Sequence, residues 1–255
     1  ERPDYVILSA AKVGGIKANI SYPAQFIFEN LAIQNNVIHF AYLYKVKKLL
    51  FFASACTYPR ESPQPMKEEY LLSGYLEPTN EPYAVAKIAG IKMCQAYNRQ
   101  YGTNFICGVT TNGYGPGDNF DPKSSHVIPA SIKKCIDALA NGDDSIVAWG
   151  TGMATTEFLY VEDCCEALIL ATERYDKPEP VNIGTGFEIS IKDLLELIVE
   201  LTGFKGKITW DATQPEGQLR RVLDTSKAQK GFGFKAKTKF EEGLKKTIDW
   251  YIQTR

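Results

Sequence analysis

Hydrophobic positions in this chain form short uninterrupted runs that alternate with longer segments of helical spacing. The uninterrupted runs predict strands at residues 4–11, 48–54 and 105–110, because a strand buried on both faces shows no polar alternation. Apolar residues three and four positions apart predict helices at residues 24–44 and 83–101. Strands that alternate with helices are typical of a parallel sheet covered on both faces.

The second half of the chain has shorter and more mixed segments. A proline-rich stretch at residues 59–82 is expected to form a long loop before this half. The pattern that follows predicts helices at residues 127–139, 162–173, 191–202 and 240–252, and strands at 146–150, 156–161 and 181–184. We therefore predict the α/β fold class, with a doubly wound parallel sheet and a smaller α/β lobe.

Composition and charge narrow the classes of function. The net charge of -1 gives no electrostatic reason to expect nucleic acid or an anionic membrane as a partner, and no apolar run approaches the roughly 20 residues of a membrane span. The six cysteines form no Cys-x-x-Cys pattern, and only two histidines are present. These counts predict no metal site, reduced thiols and a cytoplasmic protein.

Candidate chemistry lies at the start of the predicted helix 83–101. Tyr83 and Lys87 are four residues apart, so their side chains share a helix face. The Lys87 charge is expected to lower the pKa of the Tyr83 hydroxyl, which is about 10 in free tyrosine. Ser54 ends a predicted strand and is placed to hold a substrate oxygen that Tyr83 protonates. This set is typical of enzymes that transfer a hydride and a proton together, although the spacing alone also arises by chance.

The turn that would bind a cofactor's phosphates is not found in the sequence. A doubly wound nucleotide-binding fold normally opens with a strand, a glycine-rich turn and a helix, but no G-x-x-G-x-x-G or G-x-G-x-x-G occurs here. We expect roughly 50 to 60 further N-terminal residues, about two βα units and a strand. A protein that never had this element is the open alternative.

Several segments carry a family resemblance. Three of them are distinctive: Lys-Val-Gly-Gly at residues 12–15, Glu-Pro-Thr-Asn-Glu-x-Tyr at 77–83 and Ser-His-Val-Ile-Pro at 125–129. On these residues the chain resembles the extended short-chain dehydrogenase/reductases and, within them, the GDP-L-fucose synthase family. The resemblance covers essentially the whole chain.

The resemblance implies an NADPH-dependent enzyme that epimerises C3 and C5 of a GDP-4-keto-6-deoxy-mannose-like sugar and then reduces C4. It gives Tyr83 the role of general acid, Lys87 that of ribose ligand and Ser54 a contact to O4. Cys56 and His126 resemble the base and acid of the epimerisation. The implied cofactor contacts are Ala10, Ala11, Lys12, Lys87, Thr111, Asn112, Tyr114 and His126, and the implied substrate contacts are Lys134, Trp149, Glu216 and Arg220.

The resemblance also implies a domain division and an assembly. Residues 1–120, with a return near 155–185, would form a partial Rossmann-like NADP-binding domain, and residues 121–255 would form mainly the substrate-binding lobe. A homodimer would use the helices that follow Ala24 and Tyr83. Trp149 has the alternative interpretation of a core residue, and Arg220 that of a structural partner of Asp224.

Departures from the family pattern leave other functions open. Lys133 and Lys134 replace an Arg pair, Thr156 stands where an Arg is expected, and Glu216 replaces an Asp. A 4,6-dehydratase would place an Asp-Glu pair where this chain has residues 55–57, and a 4-epimerase has no need of Cys56 and His126. A non-catalytic nucleotide-sugar-binding protein is the alternative from another class.

Overall fold

The computed structural model describes residues 2–255 and contains ten strands and eight helices within that range. The strands are β1 (Tyr5–Leu8), β2 (Lys48–Ser54), β3 (Phe105–Thr110), β4 (Asn112–Tyr114), β5 (Ser145–Trp149), β6 (Thr155–Tyr160), β7 (Val181–Ile183), β8 (Glu188–Ser190), β9 (Lys207–Asp211) and β10 (Arg220–Arg221). The helices are α1 (Ile16–Ser21), α2 (Pro23–Leu43), α3 (Glu81–Tyr101), α4 (Val127–Asn141), α5 (Val161–Arg174), α6 (Ile191–Thr202), α7 (Ser226–Phe232) and α8 (Phe240–Thr254).

A parallel sheet in the order β1-β2-β3-β7 forms the first half of the fold. In the register of this sheet, Leu49 lies opposite Val6 on one side and Phe105 on the other. Within residues 2–255, β1 pairs with β2 alone. The predicted α/β class with a parallel sheet is confirmed.

Side-chain alternation along β2 divides the core of this sheet into two layers. Leu49 and Phe51 pack with residues of α2 and α3, such as Ile38 and Ile91. Leu50 packs on the other face with residues of α5 and α7. A strand with both faces covered is apolar throughout, which is why β2 is an unbroken hydrophobic run.

Shorter strands and the remaining helices form a second region with its own core. Strand β6 pairs in parallel with β4 and β10 and antiparallel with β8, while β5 and β9 form a separate parallel pair. Residues of α4, α6 and α8 enclose this core, which contains Ile132, Ile198 and Ile248. The predicted domain division at residue 120 remains a prediction.

The long loop between β2 and α3 is tied to the segment that follows β10. Met66 donates its N–H to the Val222 carbonyl and accepts one from Asp224, at 2.8 and 2.9 Å. Asn182 in β7 donates to the carbonyls of Met66 and Asp224. These bonds hold residues 222–224 beside the carboxyl ends of the central strands.

Two further properties concern the described residues as a whole. No helix among residues 2–255 combines the length and apolar content that crossing a membrane requires. All six cysteines are free thiols, and their exposure differs: Cys56 is buried, whereas Cys165 on α5 is exposed.

Candidate active site

The carboxyl end of β2 positions Ser54 and Cys56. Ser54 is the last residue of the strand, and a single 3-10 turn follows at residues 55–57. The Ser54 hydroxyl accepts the Cys56 N–H at 3.5 Å, and Thr57 donates its hydroxyl to the Ser54 carbonyl at 2.8 Å. The Ser54 side chain and the Cys56 backbone are therefore held at the edge of the sheet where doubly wound folds bind their ligands.

Helix α3 places Tyr83 and Lys87 against the same strand. The buried Lys87 ammonium donates to the Phe52 carbonyl at 2.9 Å and lies 5.8 Å from the centre of the Tyr83 ring. An ammonium has three donors, and within residues 2–255 Phe52 is its one hydrogen-bond acceptor. The two other donors fit the hydroxyls of a nucleotide ribose.

The pKa of Tyr83 moves opposite to the sequence-based expectation. Burial raises the pKa of Tyr83 above its usual 10.0, and the nearby Cys56 thiol raises it further. Burial also lowers the pKa of Lys87 to about 8. The expected lowering of the Tyr83 pKa is wrong for this arrangement, because desolvation of the phenol dominates and the Lys87 amine turns toward Phe52. Tyr83 is consequently protonated at neutral pH.

The charge of Arg221 lowers the pKa of both Cys56 and His126. Burial raises the pKa of the Cys56 thiol above 9.0, while the Ser54 hydrogen bond and the charges of Arg221 and Lys87 oppose this shift. His126 immediately precedes α4, and solvent reaches it although protein surrounds much of the imidazole. Partial desolvation and the Arg221 charge lower the pKa of His126 below 6.5.

Arg221 is a site residue that the sequence analysis did not identify. Its guanidinium donates to the Gln218 side chain at 3.1 Å and interacts with the charges of Cys56 and Glu77. The neighbouring Arg220 points to the surface and forms a bidentate pair with Glu188, in which Nε lies 3.0 Å from both carboxylate oxygens. The alternative pairing of Arg220 with Asp224 is therefore wrong.

The residues with predicted cofactor contacts have different surroundings. Ala10 and Ala11 follow β1, and the Lys12 amine pairs with Glu29 at 3.1 Å. Thr111 and Asn112 both donate to the Glu157 carbonyl, at 2.8 and 3.4 Å. The Tyr114 ring lies in the core of the second region and donates to the Phe240 carbonyl. Tyr114 thus offers a ligand its backbone but not its side chain, because β4 directs the ring inward.

Three of the residues with predicted substrate contacts lie together around residues 147–151. Lys134 donates to the Val147 carbonyl at 2.7 Å, and the Glu216 carboxylate accepts the Thr151 N–H. Trp149, between them, is 37% exposed, so its interpretation as a core residue is wrong. Lys133 instead pairs with Asp137 on the surface of α4.

Comparisons with known proteins show what the chain is similar to. A model of the NAD dependent epimerase/dehydratase family matches residues 1–184. The chain is 52% identical over 253 residues to GDP-L-fucose synthase 1 of Arabidopsis thaliana, covering 99% of this chain and 78% of that protein. It is 45% identical over 264 residues to GDP-L-fucose synthase of Escherichia coli strain K12, covering 100% of this chain and 82% of that protein.

Two solved structures resemble the whole chain. A GDP-6-OMe-4-keto-L-xylo-heptose reductase from C. jejuni has a TM-score of 0.94 and 36% identity, covering 100% of this chain and 84% of that one. A GDP-L-fucose synthetase from Naegleria fowleri bound to NADP has a TM-score of 0.90 and 29% identity, covering 99% of this chain and 78% of that one.

Proposed function

Because the chain belongs to the NAD dependent epimerase/dehydratase family, we propose that it epimerises and reduces a 4-keto nucleotide sugar. The substrate is GDP-4-keto-6-deoxy-mannose or a close relative, the cofactor is NADPH and the product is GDP-L-fucose or its counterpart. The observation that carries this proposal is that the turn holding Cys56 lies against α3, the helix of Tyr83 and Lys87, and that Lys87 binds the Phe52 carbonyl of β2. The relatives named GDP-L-fucose synthase support the choice of substrate, and the neighbour with bound NADP supports the choice of cofactor.

The reduction uses residues of β2 and α3. NADPH, when bound, supplies a hydride to C4 of the sugar. Tyr83 donates a proton to O4, which its raised pKa permits because the phenol is protonated at neutral pH. Ser54 holds O4 with its hydroxyl, and Lys87 holds the nicotinamide ribose with the donors that Phe52 leaves free.

The epimerisation uses Cys56 and His126. A ketone at C4 acidifies the protons on C3 and C5, so the Cys56 thiolate removes one proton and protonated His126 returns one to the opposite ring face. The pKa of Cys56 lies above 9.0 and that of His126 below 6.5. Only a small fraction of the molecules therefore carries a Cys56 thiolate and a His126 imidazolium at the same time. This fraction is constant between the two pKa values.

Replacement of the two key side chains should separate the two reactions. In the complete protein, Cys56→Ser is expected to slow C3 and C5 proton exchange with deuterated water by about 10²–10⁴-fold. Reduction of an already epimerised ketone should persist in this variant. Tyr83→Phe should show the opposite result, with exchange retained and reduction lost. Unchanged exchange in Cys56→Ser would exclude the epimerase role.

Two finer assignments accompany this function. We propose a homodimer formed through an aromatic surface, defined as His39, Phe40, Tyr44, Tyr97 and Tyr101 at the ends of α2 and α3. Phe40, Tyr44 and Tyr101 are 48%, 67% and 45% exposed, an unusual density of accessible aromatic rings. We also propose a cytoplasmic location, which the six free thiols favour.

A further inference from the structure

Glu157 is a fully buried carboxylate that has no part in the chemistry proposed above. It lies on β6 and is 0% exposed. Within residues 2–255 no lysine or arginine pairs with it, and its hydrogen-bond donors are all neutral groups. A buried charge without a counter-ion is unfavourable unless several hydrogen bonds stabilise it.

The two carboxylate oxygens of Glu157 bind two separate segments. Oε1 accepts the N–H of Gly186 at 2.7 Å and the hydroxyl of Thr185 at 3.1 Å, together with the Thr185 N–H. Oε2 accepts the N–H of Leu223 at 2.8 Å. The first segment is the loop after β7, and the second is residues 221–224, called the Arg221 segment below. Leu223 belongs to the same buried cluster as Ala55 and Tyr58, which lie on the turn that carries Cys56. One side chain thus fastens both segments to β6.

The close approach of Gly184 shows how tightly the carboxylate is held. A Cβ at Gly184 would lie 2.3 Å from the Glu157 Oε1. The backbone carbonyl of Glu157 meanwhile accepts bonds from Thr111 and Asn112. Glu157 therefore connects the end of β3, the loop after β7 and the Arg221 segment at a single point.

We propose that the Glu157 carboxylate is a positioning group that fixes the Arg221 segment so that the Arg221 charge reaches Cys56 and His126. The proposal rests on the proposed function in assigning Cys56 and His126 to the epimerisation. A carboxylate is required because both oxygens accept N–H groups. A glutamine at this position would turn its own N–H₂ group toward one set of these donors and release that segment.

The test compares Glu157→Gln with a matched control. Asp163 is also buried and accepts backbone N–H groups of a distant loop, those of Lys237 and Thr238 at 3.3 and 2.9 Å. It contacts neither Arg221 nor Leu223, so Asp163→Asn should lower the melting temperature without changing the kinetics. The pH profile of exchange should change in Glu157→Gln alone, because displacement of Arg221 alters the charge that acts on both Cys56 and His126.

A second readout distinguishes positioning from simple loss of stability. The groups whose charge acts on Cys56 are Lys87 and Arg221, and displacement of Arg221 removes one positive charge. The alkylation of Cys56 is followed across pH by mass spectrometry of its peptide. The pH midpoint of this alkylation should rise by about one pH unit in Glu157→Gln. The two pH values between which proton exchange is constant should also move upward. The profile of Asp163→Asn should match that of the unmodified protein.

Each outcome has one interpretation. Normal exchange and a normal alkylation profile in a folded Glu157→Gln would overturn the positioning role. If Glu157→Gln does not fold, Arg221→Gln removes the positioned charge directly and should shift the alkylation profile in the same direction, whereas no shift would overturn the role. If the unmodified protein shows no exchange but the alkylation profile still shifts, the proposed function fails and the positioning role stands.

Discussion

Lys87 illustrates how burial sets the working range of a single side chain. The amine is 2% exposed, and its ordinary pKa of 10.5 falls to about 8 in the folded protein. The ammonium, the form proposed to bind ribose, is therefore the major form only below about pH 8. An exposed lysine would remain charged throughout the physiological range.

The two reactions should consequently differ in their pH dependence. Reduction is expected to decline as pH rises past about 8, because Lys87 then loses its proton. Exchange should stay level from about pH 6.5 to 8 and fall less than reduction above pH 8, because Arg221 still acts on Cys56 after Lys87 has lost its charge. Single-turnover reduction of the epimerised ketone and exchange in deuterated water, both from pH 6 to 9.5, measure the two rates. A parallel decline of both rates above pH 8 would contradict the assignment.

The adjacent Arg220 and Arg221 mark the limit of what the sequence predicts about individual residues. Ser54, Cys56, Tyr83 and Lys87 could be identified because their spacing and motifs are local. The choice between two neighbouring arginines depends on which one a two-residue strand turns inward, and that is set by pairing with Thr155 and Thr156 in β6. No pattern in residues 215–224 carries this information.

Helix α3 contributes to the site through its distance from the sheet. Gly90 faces the Phe51 ring, and a Cβ there would lie 2.3 Å from that ring. The helix therefore approaches β2 more closely than a larger residue would allow. This approach places the Lys87 amine within hydrogen-bond distance of the Phe52 carbonyl.

Gly90→Ala is expected to move α3 away from β2. Overpacking at this contact should destabilise the protein by about 1–3 kcal/mol, and the Michaelis constant for NADPH should rise as Lys87 shifts. Gly231→Ala in α7 is the matched control, because its Cβ would meet Tyr175 at an ordinary 3.5 Å. Urea denaturation should show Gly231→Ala to be neutral or up to about 1 kcal/mol more stable. Equal stability of the two variants would contradict the close-approach interpretation.

The longer helices and the buried strands of the main sheet followed from the sequence, whereas several shorter elements did not. Strand β3 and helix α6 have the predicted bounds, and α2 is displaced by one residue from its predicted range. Helix α1, helix α7 and the strands β4, β8, β9 and β10 were not predicted. Segments of two to seven residues contain too few positions to show a period, so tertiary pairing decides their conformation.

The proposed active site joins the two regions of the fold. Ser54, Cys56, Tyr83 and Lys87 all belong to β2, its following turn and α3, so the reduction depends on one region. His126 precedes α4 and Arg221 lies in β10, so the epimerisation needs both regions together. Substitutions that weaken the contact between the two regions should therefore slow epimerisation more than reduction.

Assembly of the protein should depend on the aromatic surface of α2 and α3. Phe40→Glu is expected to convert the dimer into monomers at micromolar concentration, because a charge would have to be buried at the contact. Ile169→Glu, at a 54% exposed position on α5 across the sheet, is the control and should remain dimeric. Sedimentation velocity measures both masses. A monomeric unmodified protein would refute the proposed homodimer, and a dimeric Phe40→Glu variant would place the contact elsewhere.

The unequal exposure of the thiols decides what a chemical label would report. Cys165 is exposed on α5, while Cys56 is buried and carries a raised pKa. A general alkylating reagent will therefore modify α5 before it reaches the active site. Loss of activity under such a reagent becomes informative about Cys56 only after Cys165 has been replaced. An electrophile attached to a nucleotide sugar would reverse this order, since binding would deliver it to Cys56.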